Sequence, residues 1–110
     1  MTNPTNPPAA AHGITTQHRL LISRINDLVL DLNALDGLCV IASFHGHVSQ
    51  LSVRVIHGAY DDTRARHDLR DIYLPCAIRP EWMTRDALKE LTETASFLET
   101  LLEEKTACAN

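Results

Sequence analysis

At 110 residues, with 14 acidic against 10 basic side chains and a net charge of −4, the chain has the size of one domain and no broad positive field for nucleic acid or an anionic membrane. A hydrophobic content of 45% with 22% charged residues is the composition of a globular fold, and no window approaches the ~18 consecutive apolar residues of a membrane span. Cys39, Cys76 and Cys108 lie far apart, form no CxxC pair and are odd in number, which reads as reduced, buried or tail thiols rather than a disulfide framework.

Residues 1–13 place Pro4, Pro7 and Pro8 among Asn, Thr and Ala, with neither an apolar periodicity nor the charged-then-apolar pattern of a secretory signal. The expectation is a disordered tail over 1–13, then a single α+β domain over 14–110, in the cytoplasm. From Ile14 the pattern changes. Ile14, His18, Leu21, Ile25, Leu28, Leu32 and Leu35 recur at alternating spacings of four and three, the seam of a heptad. Leu20, Ile22, Val29 and Leu30 widen that stripe, which predicts a helix packed on a sheet as well as on another helix. Thr15 or Thr16 supplies an N-cap and Asp36-Gly37 a stop.

Leu38 to Phe44 has no helical stripe and is rich in apolar and β-branched residues, which predicts a strand covered on both faces or buried at a dimer contact. His45-Gly46-His47 makes the turn, with Gly46 expected at positive φ. The returning strand alternates, Leu51, Val53 and Val55 on one side and Gln50, Ser52 and Arg54 on the other, so one face is buried and one is wet. Asp61 to Asp71 reads as a mixed-charge connector, and Ile72-Tyr73-Leu74 as a short third strand stopped by Pro75. Pro80-Glu81-Trp82-Met83 enters the last helix, with Thr84 as N-cap and Asp86 in the first turn. Its seam is Thr84, Leu88, Leu91, Ala95, Leu98, Leu102 and Lys105. The predicted architecture is helix, antiparallel hairpin or three-stranded meander, helix, the two helices of equal length at about 33 Å each.

Several residue groups invite a chemical reading. His45 and His47 are spaced to share a metal, but a metal centre needs three or four convergent ligands, and His57 lies roughly 30 Å along the strand, so solvated turn histidines are preferred and no metal or cofactor is expected. His18, inside an aliphatic seam, reads as a half-buried histidine at the helix start, or alternatively as a polar residue that sets the register of an interface and loosens it on protonation. Cys39 and Cys76 sit in apolar runs and read as buried thiols rather than nucleophiles, no nucleophile elbow surrounds the serines, and no glycine-rich phosphate loop is present.

Catalysis is therefore not expected. The like-charge pairs Asp27 with Asp31 and Glu99 with Glu103 are solvated faces or surfaces for a basic partner, and Trp82 is a core staple or an interface anchor. The function expected is a small acidic, non-enzymatic protein-interaction module of the adaptor, chaperone-like or inhibitor-like kind. It is expected to act as a homodimer through its helical seams or the edges of its sheet. The alternative is a nucleic-acid-binding regulator that uses Arg64, Arg66 and Arg70 of the connector.

Overall fold

The computed structural model describes residues 13–59, 64–76, 79 and 84–108, with Cys108 by its backbone alone. The elements run α1 (Thr16–Asn33), β1 (Cys39–His45), a 3-10 turn (Gly46–Val48), β2 (Gln50–His57), β3 (Arg66–Tyr73) and α2 (Ala87–Cys108). The three strands form one antiparallel meander in the order β1-β2-β3, with Val40 opposite Val55 and Val55 opposite Asp68. This is the α+β architecture that the periodicities predict. The expected tail lies outside the described residues apart from Gly13.

Both helices pack on the same face of the sheet and on each other. The heptad seams account for this, because α1 buries Ile25, Leu28 and Leu32 completely and α2 does the same with Leu91 and Leu98. The strands meet them with Val40, Leu51, Val53, Val55 and Ile72, all at most 3% exposed. Each such side chain contributes about 1.5–3 kcal/mol through removal from water, so this layer dominates the stability. Leu20 and Leu30, expected to widen the packed stripe, are instead 65% and 71% exposed. At 100° per residue Leu30 falls on the side of α1 opposite Ile25 and Leu28, and Leu20 falls on the flank, roughly 80° from Leu28.

The helices are unequal: α1 has 18 residues and α2 has 22. The first ends at Asn33 with Ala34 as C-cap, ahead of the Asp36-Gly37 stop, whose glycine takes φ +81° in the connection to β1. Asn33 gains a second role there. Its side-chain amide donates to the Val40 carbonyl and its oxygen accepts from the Val40 N–H, both at 2.7 Å, which ties the helix end to the outer edge of β1. α2 begins at Ala87, after a turn over Thr84 to Asp86, and its first helical hydrogen bond runs from the Glu90 N–H to the Asp86 carbonyl. The helix thus starts three residues beyond the predicted cap at Thr84, which is buried.

Two further expectations are corrected. Gly46 does not take positive φ; the left-handed residue is Ser49, at φ 46° and ψ 56°. Four residues separate β1 from β2, and such a connection closes with a helical turn followed by one left-handed residue, which moves that conformation to the end of the turn. Nor is the charged connector a loop throughout, since β3 reaches back to Arg66. An edge strand tolerates charges on both faces because solvent reaches it, and charges on an edge discourage unwanted pairing. Ser52 donates to Asp71 directly across the ladder at 2.7 Å, and Asp68 is shared by His57 at 2.8 Å and Arg66 at 3.5 Å.

Candidate interaction surface

The register determines what the uncovered face of the sheet displays. With Leu51, Val53 and Val55 turned to the helices, the opposite face carries Cys39, Ile41, Ser43 and His45 from β1, Gln50, Ser52, Arg54 and Ile56 from β2, and His67, Leu69, Asp71 and Tyr73 from β3. No described helix covers it. Leu69 is 53% exposed and Tyr73 43%, while Ile41 and Cys39 are half-buried. Strand β1 is therefore covered on one face and not on both, as its unbroken apolar run suggested. Ile56, between Cys39 and His67 in the register, is the one fully buried side chain of this outer row.

Arg54 stands in the middle of this surface, with Ile41 and Leu69 as its direct cross-strand neighbours. It is exposed and has no carboxylate partner among the described residues. Beside it a shallow recess of about 280 Å³ is lined by Ile41, Ser43, His45, Ser52 and Arg54. Asp71, diagonal to Arg54, accepts a hydrogen bond from the Ser52 hydroxyl and has no cation against it among the described residues. At the end of the face, the Arg79 guanidinium lies 4.8 Å from the centre of the Tyr73 ring. The same guanidinium donates to the carbonyls of Val48, Ser49 and Leu74 and so fastens the chain after β3 to the hairpin turn.

The other residues singled out by the sequence are spread over the molecule. Asp27 and Asp31 are exposed on α1, and Glu103 is exposed on α2. Glu99 is half-exposed and faces Arg24 at 3.5 Å, a surface pair worth little in water. Trp82 lies outside the described residues. Arg64 is exposed in the turn before β3, and Arg66 sits at the His57–Asp68 pair. Arg70 points to the helix side, 4.7 Å from the Phe97 ring centre, and Arg66 shares that side of β3 by register, while Arg64 precedes the strand. His45 and His47 are exposed at the turn, and β2 carries His57 to its opposite end, about 23 Å from Gln50 at the strand rise. Among the described residues, no three His, Cys, Asp or Glu side chains converge as a metal-holding group. Cys39 and Cys76 are half-buried free thiols rather than fully buried ones.

His18 is more buried than expected, at 5% exposure, and takes part in the α1 cap. Its Nδ1 accepts from the Thr15 N–H at 3.0 Å, while the Thr15 hydroxyl oxygen accepts from the His18 N–H at 3.3 Å. This is a capping box with histidine in the place usually held by Glu or Gln. Burial pushes the imidazole below its ordinary pKa, and the accepting Nδ1 assigns the ring proton to Nε2. Glu90, near the start of α2, is held above the usual carboxylate range by burial and then by Asp86 and Glu93.

Sequence reading assigned Arg54 to a wet face but missed its isolation. The signal was present in the alternation of the returning strand; the missing fact was that its neighbours across the ladder are aliphatic. Among the described residues no helix is long and apolar enough to cross a membrane. No family model, no curated protein and no solved structure matches this chain.

Proposed function

We propose that the chain is a small acidic, non-enzymatic protein-interaction module of the cytoplasm, and that it works through the open face of its sheet. The observation that carries this reading is the one-sided packing. Both helices cover the same side, and the other side presents Ile41, Leu69 and Tyr73 around the Arg54 guanidinium, which has no carboxylate partner among the described residues. A contiguous half-apolar face of this kind, with polar groups between and around the apolar ones, is the chemistry of a protein contact. The homodimer belongs to the same proposal. The helical seams are occupied by each other, Asn33 blocks part of the β1 edge and charges line β3, which leaves the open face for assembly. Asp27 and Asp31 on α1 and Glu103 on α2 are exposed acidic groups away from the open face, and are not needed for this contact.

A photo-reactive amino acid at position 69, compared with one at the exposed Thr92 of α2, tests this reading in the source cell. The reading requires polypeptide adducts from position 69 in clear excess over position 92. Equal labelling at the two positions, or none at 69, would overturn it.

A further inference from the structure

We propose that the occupant of the open face is a second copy of this chain, docked so that Arg54 of each protomer meets Asp71 of the partner subunit. The inference rests on the open face being a protein contact between copies, and adds to it the contact that fixes their register. Two charges of opposite sign lie on one face with no ion pair among the described residues. Arg54 is flanked by Ile41 and Leu69, and Asp71 is one step diagonal on β3, held by the Ser52 hydroxyl. A single charge of either sign would call for a different molecule of opposite charge. One of each, displaced by a diagonal step, is self-complementary, because a two-fold axis midway between them exchanges their positions and forms two identical ion pairs.

The apolar surroundings strengthen such pairs. Ile41, Leu69 and Tyr73 would exclude water around them, so each guanidinium–carboxylate contact acts at lower dielectric than on an open surface. The 280 Å³ recess beside Arg54 gives the face relief that an opposing side chain can enter. Mixed charge also disfavours a polyanion, since Asp71 would repel the phosphates that Arg54 attracts.

Light scattering on the full chain and three variants, Arg54→Asp, Asp71→Arg and the double reversal, tests the contact. The wild type at concentrations on the order of tens of micromolar should show twice the 12.2 kDa chain mass. Each single reversal places like charges opposite one another and should weaken self-association by about tenfold or more, and the double reversal should recover most of the loss. Far-UV circular dichroism verifies folding, and Arg54→Gln replaces Arg54→Asp if the latter unfolds. A monomer at every wild-type concentration would overturn the proposal, whether another polypeptide, the chain's own residues 1–12 or solvent then covers the face. Single reversals that dimerise like the wild type, or a folded double reversal with no recovery, would do the same. Adducts at position 69 with a different protein, alongside a monomeric mass, would remove the second copy and leave the interaction module standing.

Discussion

His18 shows how one side chain links sequence pattern, local structure and pH. Its Nδ1 closes the α1 capping box only while it is unprotonated, and burial favours that neutral form. Because the folded-state pKa lies below the free value of 6.5, the unfolded chain takes up the proton first as pH falls. The contribution of the cap is complete above that value and declines below it, toward the lowered folded pKa. Denaturant unfolding should therefore show lower stability at pH 5.5 than at 7.5. His18→Gln retains a side-chain oxygen to accept from Thr15 and should flatten that component of the pH dependence. His18→Ala should cost about 0.5–2 kcal/mol at pH 7.5. A pH slope unchanged by His18→Gln would refute the assignment. Ser49 offers a second test at this scale. A side chain at φ 46° is strained, so Ser49→Gly should leave stability unchanged or raise it by up to about 1 kcal/mol, whereas Ser49→Val should lower it.

At the scale of elements, what was legible in the sequence follows from how regularly burial is written into it. The α1 seam from Ile14 to Leu35 and the α2 seam from Leu88 to Leu102 repeat at helical spacing because each presents one stripe to the core, and those stripes are the packed ones. The alternation of β2 was equally readable, since one of its faces is dry. β3 was readable only at its end, Ile72 and Tyr73. Arg66, Asp68 and Arg70 occupy its helix side where an apolar row would be expected, and an edge strand tolerates them, so no apolar period marks it. The Asn33 clamp on Val40 was invisible because it joins residues across a loop whose path the sequence does not specify. Asn33→Leu removes both 2.7 Å hydrogen bonds and leaves the Val40 N–H and carbonyl at the sheet edge. It should cost about 1–2 kcal/mol and speed amide exchange at Val40 more than at Val53. Val53, 2% exposed between strand and helices, marks the limit of tolerance. Val53→Asp buries an unpaired charge in the core and should abolish cooperative unfolding, while Arg54→Asp, one residue on and facing out, should fold. Equal damage from the two would contradict the assigned faces of β2.

At the scale of the whole molecule, the described elements form two layers, with both helices on one face of the sheet and no described helix on the other. A chain of this size buries a limited area on its own, and covering the second face is the available way to bury more. The apolar run of β1 and the two helical seams led the sequence reading to expect a dimer; the seams are used within the chain, which is why the proposed dimer is placed on the open face. If two copies complete each other through the open face, folding is linked to concentration. The most direct measurement is the thermal midpoint of the wild type and of Leu69→Lys over about a hundredfold range of chain concentration. The wild-type midpoint should rise with concentration. Leu69→Lys should stay flat near the dilute wild-type value, because the exposed Leu69 contributes to the contact and not to the core. A wild-type midpoint independent of concentration, or a Leu69→Lys midpoint well below the dilute wild type, would contradict this account.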